Sequence, residues 1–390
     1  MTTILAPDVP VTGTVLPVKD PDVVPTPRTS VGQIPAESRF LNWGALVAAL
    51  GMAWVIAERL LPLHGLPWFL AVFAVCNLGI LAVGTAAMDN ATAVVDRVMR
   101  WVVSTATLVV IVALCSVMVY VLGRGWPALR HASFFLHDMS GISQDAPLSQ
   151  GGILHAIVGS LIELGIASAI ALPLGVGTAV FMNEIGGRFS RVVRTVVEAM
   201  TALPDILAGL FIYTVWIVAF HQPSSGFAAA LALTVMMLPI IARASDVVLR
   251  VVPASLREAS LALGSSRWST VWHVVLPTAR PGLATALILA VARGIGETAP
   301  VLLTSGNANF MVKNPFGGPM TSLPLYIFES YGSGIPLQIQ RAFGAASVLL
   351  VLVLILFVAA RVIARAPSNK APLWKRILRH HPPASNEDVP

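Results

Sequence analysis

Two opposite charges, four residues apart, interrupt a long apolar run. Arg293 and Glu297 both fall within residues 281–303, where most other side chains are small or apolar. Residues four apart share one face of a helix, so these two side chains can partly neutralise each other. A guanidinium also presents a fork of N–H donors that matches the oxygens of an oxyanion. The spacing therefore predicts an anion path or, alternatively, a structural ion pair.

The composition is that of a membrane protein. The 390-residue chain is 56% hydrophobic and 11% charged, whereas soluble domains are about 25% charged. We therefore predict an all-α integral membrane protein, because an apolar run of about 20 residues can span a bilayer as a helix. Eight such spans are predicted, at residues 41–63, 66–87, 101–122, 153–182, 195–220, 227–242, 281–303 and 342–364.

The basic residues predict the orientation of these spans. If both termini are cytoplasmic, the inner segments hold 19 of the 25 Lys and Arg residues and the outer segments hold five. This asymmetry follows the positive-inside rule and places the loop at 243–280 in the cytoplasm. The net charge of +6 therefore reflects topology, and we expect no nucleic-acid partner.

A charge at the middle of a bilayer costs about 2.5–3.5 kcal/mol on insertion scales, so it is usually retained for function. We expect Arg293 to line a translocation path. Glu297 would hold the guanidinium, so that an anion does not bind too tightly to leave. Gly294 and Gly296 would let a neighbouring helix or an ion approach the backbone closely.

The chain divides by composition into a long membrane domain and flanking parts. Residues 1–40 and 366–390 are expected to be cytoplasmic tails, the first disordered and the second basic. Residues 41–87 form a predicted accessory hairpin of two spans, and 101–365 form the main transmembrane domain. Cys76 and Cys115 lie in apolar spans and suggest neither a disulfide nor a metal site.

One amphipathic segment lies between apolar runs, at residues 255–277, with the sequence SLREASLALGSSRWSTVWHVVLP. Ser255 and Glu258 have the spacing of a capping box, which predicts a helix start at this point. Gly264 is placed to end that short helix in a left-handed cap. The segment should therefore face water and contact a partner.

A second helix is predicted to follow Gly264. The spacing of its four largest apolar residues gives it one apolar face. These residues are Trp268, Val271, Trp272 and Val275. We expect Pro277 to end this helix, because an interior proline removes a backbone donor.

The whole segment resembles the EAA signature of ABC importer permeases, in which Glu-Ala-Ala is followed by three residues, Gly, nine residues and Ile-x-Leu-Pro. The matching positions here are Glu258, Ala259, Ser260, Gly264, Val274, Leu276 and Pro277. Ser replaces the second Ala, and Val replaces Ile. The resemblance implies coupling helices that dock on a separate ATP-hydrolysing subunit. The alternative is an ordinary cytoplasmic loop helix.

Longer stretches from Gly159 onward resemble the permeases of phosphate importers. They include LPDILAGLF at 203–211 and ARGIGETAPVLL at 292–303. The motif ETAPVLL, together with SLPLYIF at 322–328, is more similar to the PstA type than to the PstC type. One departure is Asp205, where the family usually has a serine.

This resemblance implies a permease subunit of an ATP-driven phosphate importer in a prokaryotic cell membrane, with a six-helix transport core. The implied partners are an ABC ATPase dimer carrying ATP and magnesium, a sister permease of the PstC type and an external phosphate-binding protein. Arg293 and Glu297 would then matter for transport. Glu163 and Asp205 are not assigned to the phosphate path, because acids repel an anion. We expect Asp205 to pair with Arg293 or with neighbouring backbone.

The sequence gives no sign of catalysis. It contains no phosphate-cradling Gly-rich loop followed by Lys-Ser/Thr, and no HExxH, CxxC or nucleophile-elbow motif. We therefore expect no catalytic residue, metal site or cofactor in this chain.

Two other functions stay open. One is a permease of the same architecture for molybdate or an organic solute, against which Arg293 and the GET sequence at 296–298 argue. The other is a non-transporting sensor or scaffold, which the absence of an appended soluble domain disfavours.

Overall fold

The computed structural model describes residues 36–60 and 65–364, and every regular element within these ranges is a helix. The chain divides into two compact units, Met1–Leu114 and Cys115–Pro390. The predicted tails therefore lie outside the described residues, except for 36–40, which belong to the first helix.

The first unit contains two packed helices and the start of a third. These are α1 Ala36–Val55, which continues as a π-helical turn at Ile56–Leu60, α2 Leu66–Ala86, and α3 Ala91–Leu129, which contains the boundary between the units. Ala45, Ala49 and Ala53 recur every four residues on α1 and are buried. Small residues at this spacing let helix backbones approach closely. The region predicted as a hairpin is thus occupied by two helices packed against each other.

The second unit carries the remaining helices. They are α4 Ser133–Leu136, α5 Leu154–Val180, α6 Gly187–Thr201, α7 Asp205–Ile212, α8 Gly226–Val251, α9 Ala254–Ala262, α10 Arg267–Thr270, α11 Leu276–Gly294, α12 Ala299–Thr304, α13 Leu323–Gly332 and α14 Pro336–Ala364. π-helical turns extend α5 to Ile185, extend α7 to Ala219, and join α10 to α11.

The prediction of an all-α membrane protein with about eight spans is confirmed. Within the described ranges, seven helices are long and apolar enough to cross a bilayer, and the bent pair α6–α7 would make an eighth. Several spans are longer than predicted, because their ends remain helical beyond the most apolar residues.

The prediction of one continuous helix over 195–220 is wrong. Helices α6 and α7 meet at 102° across a break of three residues. Pro204 takes an extended conformation at the N-cap of α7. Proline disfavours helix in the residue before it and suits the start of a helix. Pro204 therefore separates two helices and does not merely kink one.

The helix predicted over 281–303 is broken as well. Helix α11 ends at Gly294, and α12 begins at Ala299 with Pro300 in its first turn. The same proline preference accounts for the new helix start, because the missing N–H of proline is not needed there. Residues 295–298 therefore form a turn inside the predicted span.

The core of the second unit is the contact between α5 and α8. A side chain at Gly175 would place its Cβ 2.7 Å from Ile241. Ala167, Ala171 and Met237 pack in the same buried cluster. Small residues on α5 thus bring the two backbones together, as in other membrane helix pairs.

A buried arginine holds the loop at residues 144–150. Arg341 of α14 is fully buried and donates hydrogen bonds to four backbone carbonyls of one loop. The acceptors are Gln144 at 3.4 Å, Ala146 at 2.9 Å, Pro147 at 3.0 Å and Gln150 at 3.1 Å. Carbonyl dipoles thus replace water around this charge.

Replacing Arg341 by Met should destabilise the protein by about 3 kcal/mol, because buried carbonyls lose their donors. We expect the midpoint of thermal unfolding of the purified protein to fall by about 4 °C, because the entropy of unfolding grows with chain length. Arg130→Met is the matched control, because Arg130 is exposed. Equal midpoints for the two variants would contradict this role of Arg341.

Candidate functional site

Arg293 lies between two carboxylates. Its Nη2 is 2.5 Å from Asp205 Oδ2, and its Nε is 3.6 Å from Glu297 Oε1. The Arg293 side chain is 52% exposed, against 29% for Asp205 and 18% for Glu297. The pairing expected for Asp205 is therefore present, and one half-exposed cation meets two anions.

The two helix breaks create this cluster. Asp205 is the first residue of α7, immediately after the 102° bend. Arg293 and Glu297 stand on either side of the end of α11. A Cβ at Gly209 would lie 2.6 Å from Pro300 Cα, so α7 and α12 are in close contact. Broken helices that meet in this way are typical of substrate sites in transporters.

A cavity of about 420 Å³ opens beside the cluster. Arg293 and Asp205 line it, together with mainly apolar residues of α6, α7 and α8 such as Phe211, Met236 and Pro239. Small-molecule pockets commonly measure about 300–1,000 Å³ and combine apolar walls with a few polar groups. The cavity therefore has the size of a small-molecule pocket, with apolar walls and one Arg–Asp pair.

Three details differ from the sequence prediction. Glu297 is not one turn along the same helix as Arg293, because α11 ends at Gly294. Gly296 is exposed, and a Cβ there would have Arg293 O as its nearest neighbour, at 3.9 Å. Close helix approach is therefore absent at Gly296. Gly294 does permit it, because a Cβ would lie 3.0 Å from Met237 Sδ.

Asp205, which was excluded from the path as an acid, lines the cavity itself.

Glu163 is a separate buried acid. It lies on α5, and its Oε1 is 2.8 Å from Ser305 Oγ. The same hydroxyl contacts the backbone carbonyl of Met320. Ser305 donates to Glu163 and so links α5 to the backbone that precedes α13.

The first helix of the amphipathic segment begins differently from the prediction. Helix α9 starts at Ala254 with Pro253 at its N-cap. Ser255 therefore lies in the first turn and cannot cap it, so the predicted capping box with Glu258 is wrong. A proline at this boundary sets the helix start through its fixed φ angle.

The predicted end of α9 is confirmed. Gly264 has a φ of +84°. The N–H of Ser265 bonds to Ser260 O at 3.2 Å, and that of Gly264 bonds to Leu261 O at 3.0 Å. These two bonds form a Schellman motif, which satisfies the last carbonyls of the helix.

The second helix does not end at Pro277. A continuous helical stretch runs from Arg267 to Gly294, because Pro277 lies in the first turn of α11. Ser266 caps its start by accepting a hydrogen bond from Ser269 N at 3.2 Å. The amphipathic segment is thus joined directly to the helix that bears Arg293.

The predicted apolar face of this helix is divided between two environments. Val271 and Val275 are buried against α5 and α8. Trp268 and Trp272 are exposed and stack edge to face, with ring centroids 6.0 Å apart. The valines therefore attach the helix to the core, while the tryptophans remain open for contact.

Polar contacts hold α9 to the core. Arg257 forms an ion pair of 3.0 Å with Glu184 and donates to the carbonyls of Leu249 and Val252. The hydroxyls of Ser260 and Thr270 are 3.0 Å apart and join α9 to the next helix. The position of α9 is therefore coupled to the ends of α5 and α8.

A second charged cluster was not identified from the sequence. The buried carboxylate of Asp246 on α8 pairs with Arg194 of α6 at 2.7 Å and with Arg250 at 2.8 Å. It also accepts a hydrogen bond of 2.8 Å from Asn183. The four-residue spacing of Asp246 and Arg250 was visible, but the contact with Arg194 requires the fold. This cluster fixes α6, which leads into the bend at Pro204.

Comparison with known proteins finds relatives that are all permease components of transport systems. The family described as binding-protein-dependent transport system inner membrane component matches residues 171–368. The chain is 38% identical over 260 residues to the phosphate transport system permease protein PstA 1 of Mycobacterium tuberculosis, covering 66% of this chain and 85% of that protein. It is 33% identical over 251 residues to the PstA protein of Haemophilus influenzae, covering 64% and 86%.

Solved structures of ABC transporters are also similar. One is the inward-facing MetNI methionine ABC transporter, at 24% identity, 55% coverage of this chain, 93% coverage of that chain and a TM-score of 0.44. Another is a bacterial transporter involved in alginate import, at 16% identity, 68% and 100% coverage and a TM-score of 0.45.

Replacing Asp246 by Ala should destabilise the purified protein by about 3 kcal/mol, because buried positive groups lose their partner. Arg250→Ala is the matched control. Its side chain is 53% exposed, so the loss should stay below about 1 kcal/mol. Thermal unfolding followed by tryptophan fluorescence measures both. A smaller effect for Asp246 than for Arg250 would refute this assignment.

Proposed function

Because the chain belongs to the family of binding-protein-dependent transport system inner membrane components, we propose that it is the transmembrane permease subunit of an ATP-driven importer of inorganic phosphate. The observation that carries this proposal is its 38% identity to a phosphate permease of which it covers 85%. The transport core would be the predicted domain at 101–365, with 41–87 as an accessory pair of helices.

Arg293 is the proposed contact for the transported anion. Its pairing with Asp205 and Glu297 lowers the cost of placing a charge in the membrane and competes with the anion, which can then leave. The cavity beside it has room for a small ligand. The two helix breaks leave stretches of non-helical backbone. Within a membrane, such backbone is tolerated only beside a cavity or inside protein, and this one lies beside the cavity.

The segment formed by α9 and the start of the Arg267–Gly294 helix is the proposed coupling surface. It exposes Leu256, Leu261 and Leu263, and the side chain of Leu263 is 88% exposed. Trp268 and Trp272, at the start of the next helix, are exposed as well. An ABC ATPase dimer, which would bind ATP and magnesium, is the proposed partner for these side chains. Closure of the dimer would move α9, and with it the ends of α5 and α8 that Arg257 contacts.

The remaining assignments follow from the same function. A sister permease of the PstC type would complete the translocation path, and an external phosphate-binding protein would deliver the substrate. The protein would lie in a prokaryotic cell membrane with both termini in the cytoplasm. The distribution of Lys and Arg supports this orientation.

Arg293→Gln should reduce phosphate uptake at least tenfold in cells whose membranes contain normal amounts of the variant, because the guanidinium that contacts the anion is gone. Arg280→Gln, on the same helix and exposed, is the control and should keep most of the uptake. The measurement is uptake of radiolabelled phosphate. Normal uptake by Arg293→Gln would defeat the assignment.

Leu263→Asp should reduce co-purification of the ATPase subunit about tenfold, because it places a charge in the proposed contact surface. Phe310→Asp is the matched control: it also removes an exposed apolar side chain, but on the predicted outer side. The measurement is the ratio of ATPase to permease after affinity purification. An unchanged ratio for Leu263→Asp would exclude this surface as the docking site.

A further inference from the structure

The cavity beside Arg293 contains a group that can only accept hydrogen bonds from a ligand. Asp205 lines the cavity, with its side chain 29% exposed. Glu297 instead borders a separate, much smaller cavity shared with Glu163. Of the two carboxylates that contact Arg293, Asp205 is therefore the one placed to meet an anion in the larger cavity.

The charges of the cluster limit which anions can bind. Arg293 contributes one positive charge, and Asp205 and Glu297 contribute two negative charges. Among the described residues, the ion-pair contacts of Arg293 use Nη2 and Nε, which leaves the hydrogens of Nη1 for an incoming oxygen. An anion bound there by one oxygen would bring its other oxygens close to Asp205.

The proton content of the anion decides whether that approach is favourable. Hydrogen phosphate carries a P–OH group, which can donate a hydrogen bond to the Asp205 carboxylate. Sulfate at neutral pH carries no hydrogen and presents acceptors only, so its oxygens and the carboxylate repel each other. A hydrogen bond to a charged group is strong enough for a discrimination of about tenfold or more between the two anions.

We propose that Asp205 is a specificity-determining residue that selects oxyanions carrying an acidic proton over fully deprotonated ones. This inference rests on the proposed function, because it assumes that the anion binds beside Arg293. It assigns part of the selectivity to the permease itself. Asp205 thus combines two roles, since it pairs with Arg293 and also accepts a hydrogen bond from the P–OH group of the substrate.

The test measures anion binding without the external binding protein, whose own selectivity would otherwise hide that of the permease. The purified transporter, with its partner subunits, carries Ser in place of Cys76 and Cys115. Ala208 on the cavity wall is replaced by Cys. The rate of maleimide labelling of the introduced thiol is measured against rising phosphate or sulfate, with chloride keeping the ionic strength constant.

With Asp205 intact, half-protection should need at least tenfold more sulfate than phosphate. Asp205→Asn should lower the half-protecting sulfate concentration about tenfold, because the amide no longer repels sulfate and can donate to it. Asp205→Glu, which keeps a carboxylate, should retain the preference for phosphate. Glu198→Gln is the charge control, because it removes an exposed acid of α6, and it should also retain the preference.

The outcomes separate the two proposals. Protection of the Asp205→Asn variant by both anions at the original ratio would overturn the role of Asp205 alone. Loss of protection by both anions in that variant would overturn it too, because Asp205 would then be needed for the site to form. Absence of phosphate protection with Asp205 intact would overturn the proposed phosphate site as well.

Discussion

The whole arrangement depends on a constraint set by the bilayer: backbone groups without partners are tolerated there only beside a cavity or inside protein. Two helices of this chain break, one before Asp205 and one after Gly294. The breaks are adjacent because Gly209 lets α7 pack on Pro300 of α12. The charges at the two breaks then pair with one another, so a single local arrangement satisfies the charges and creates the cavity.

The end of the second unit that carries α9 uses charge differently. Around Asp246, two arginines and an asparagine converge on one buried carboxylate, and Arg257 is shared between Glu184 and backbone carbonyls. These contacts are well satisfied and hold helices together. In the cluster at Arg293, the guanidinium is half-exposed, and among the described residues its ion pairs use only Nη2 and Nε. This contrast supports a structural role for the first group and a ligand-binding role for the second.

The sequence predicted what depends on local pattern and missed what depends on tertiary contacts. Hydropathy located the spans, and Gly264 correctly predicted the left-handed cap at the end of α9. Hydropathy could not reveal the breaks, because residues 202–204 are apolar and a single charge at Glu297 does not by itself end a helix. The proline at 277 was misread, since the same residue type ends one helix and begins another. Asp246 was overlooked because its partner Arg194 is 52 positions away.

The unbroken helix from Arg267 to Gly294 has a mechanical consequence. Its 28 residues make a rod about 42 Å long. The exposed tryptophans stand at one end and Arg293 at the other. Tilting this rod by about 5° around its lower end would displace the guanidinium by about 4 Å, further than the separation that now joins it to Asp205. A small tilt of this helix is therefore geometrically sufficient to separate Arg293 from Asp205.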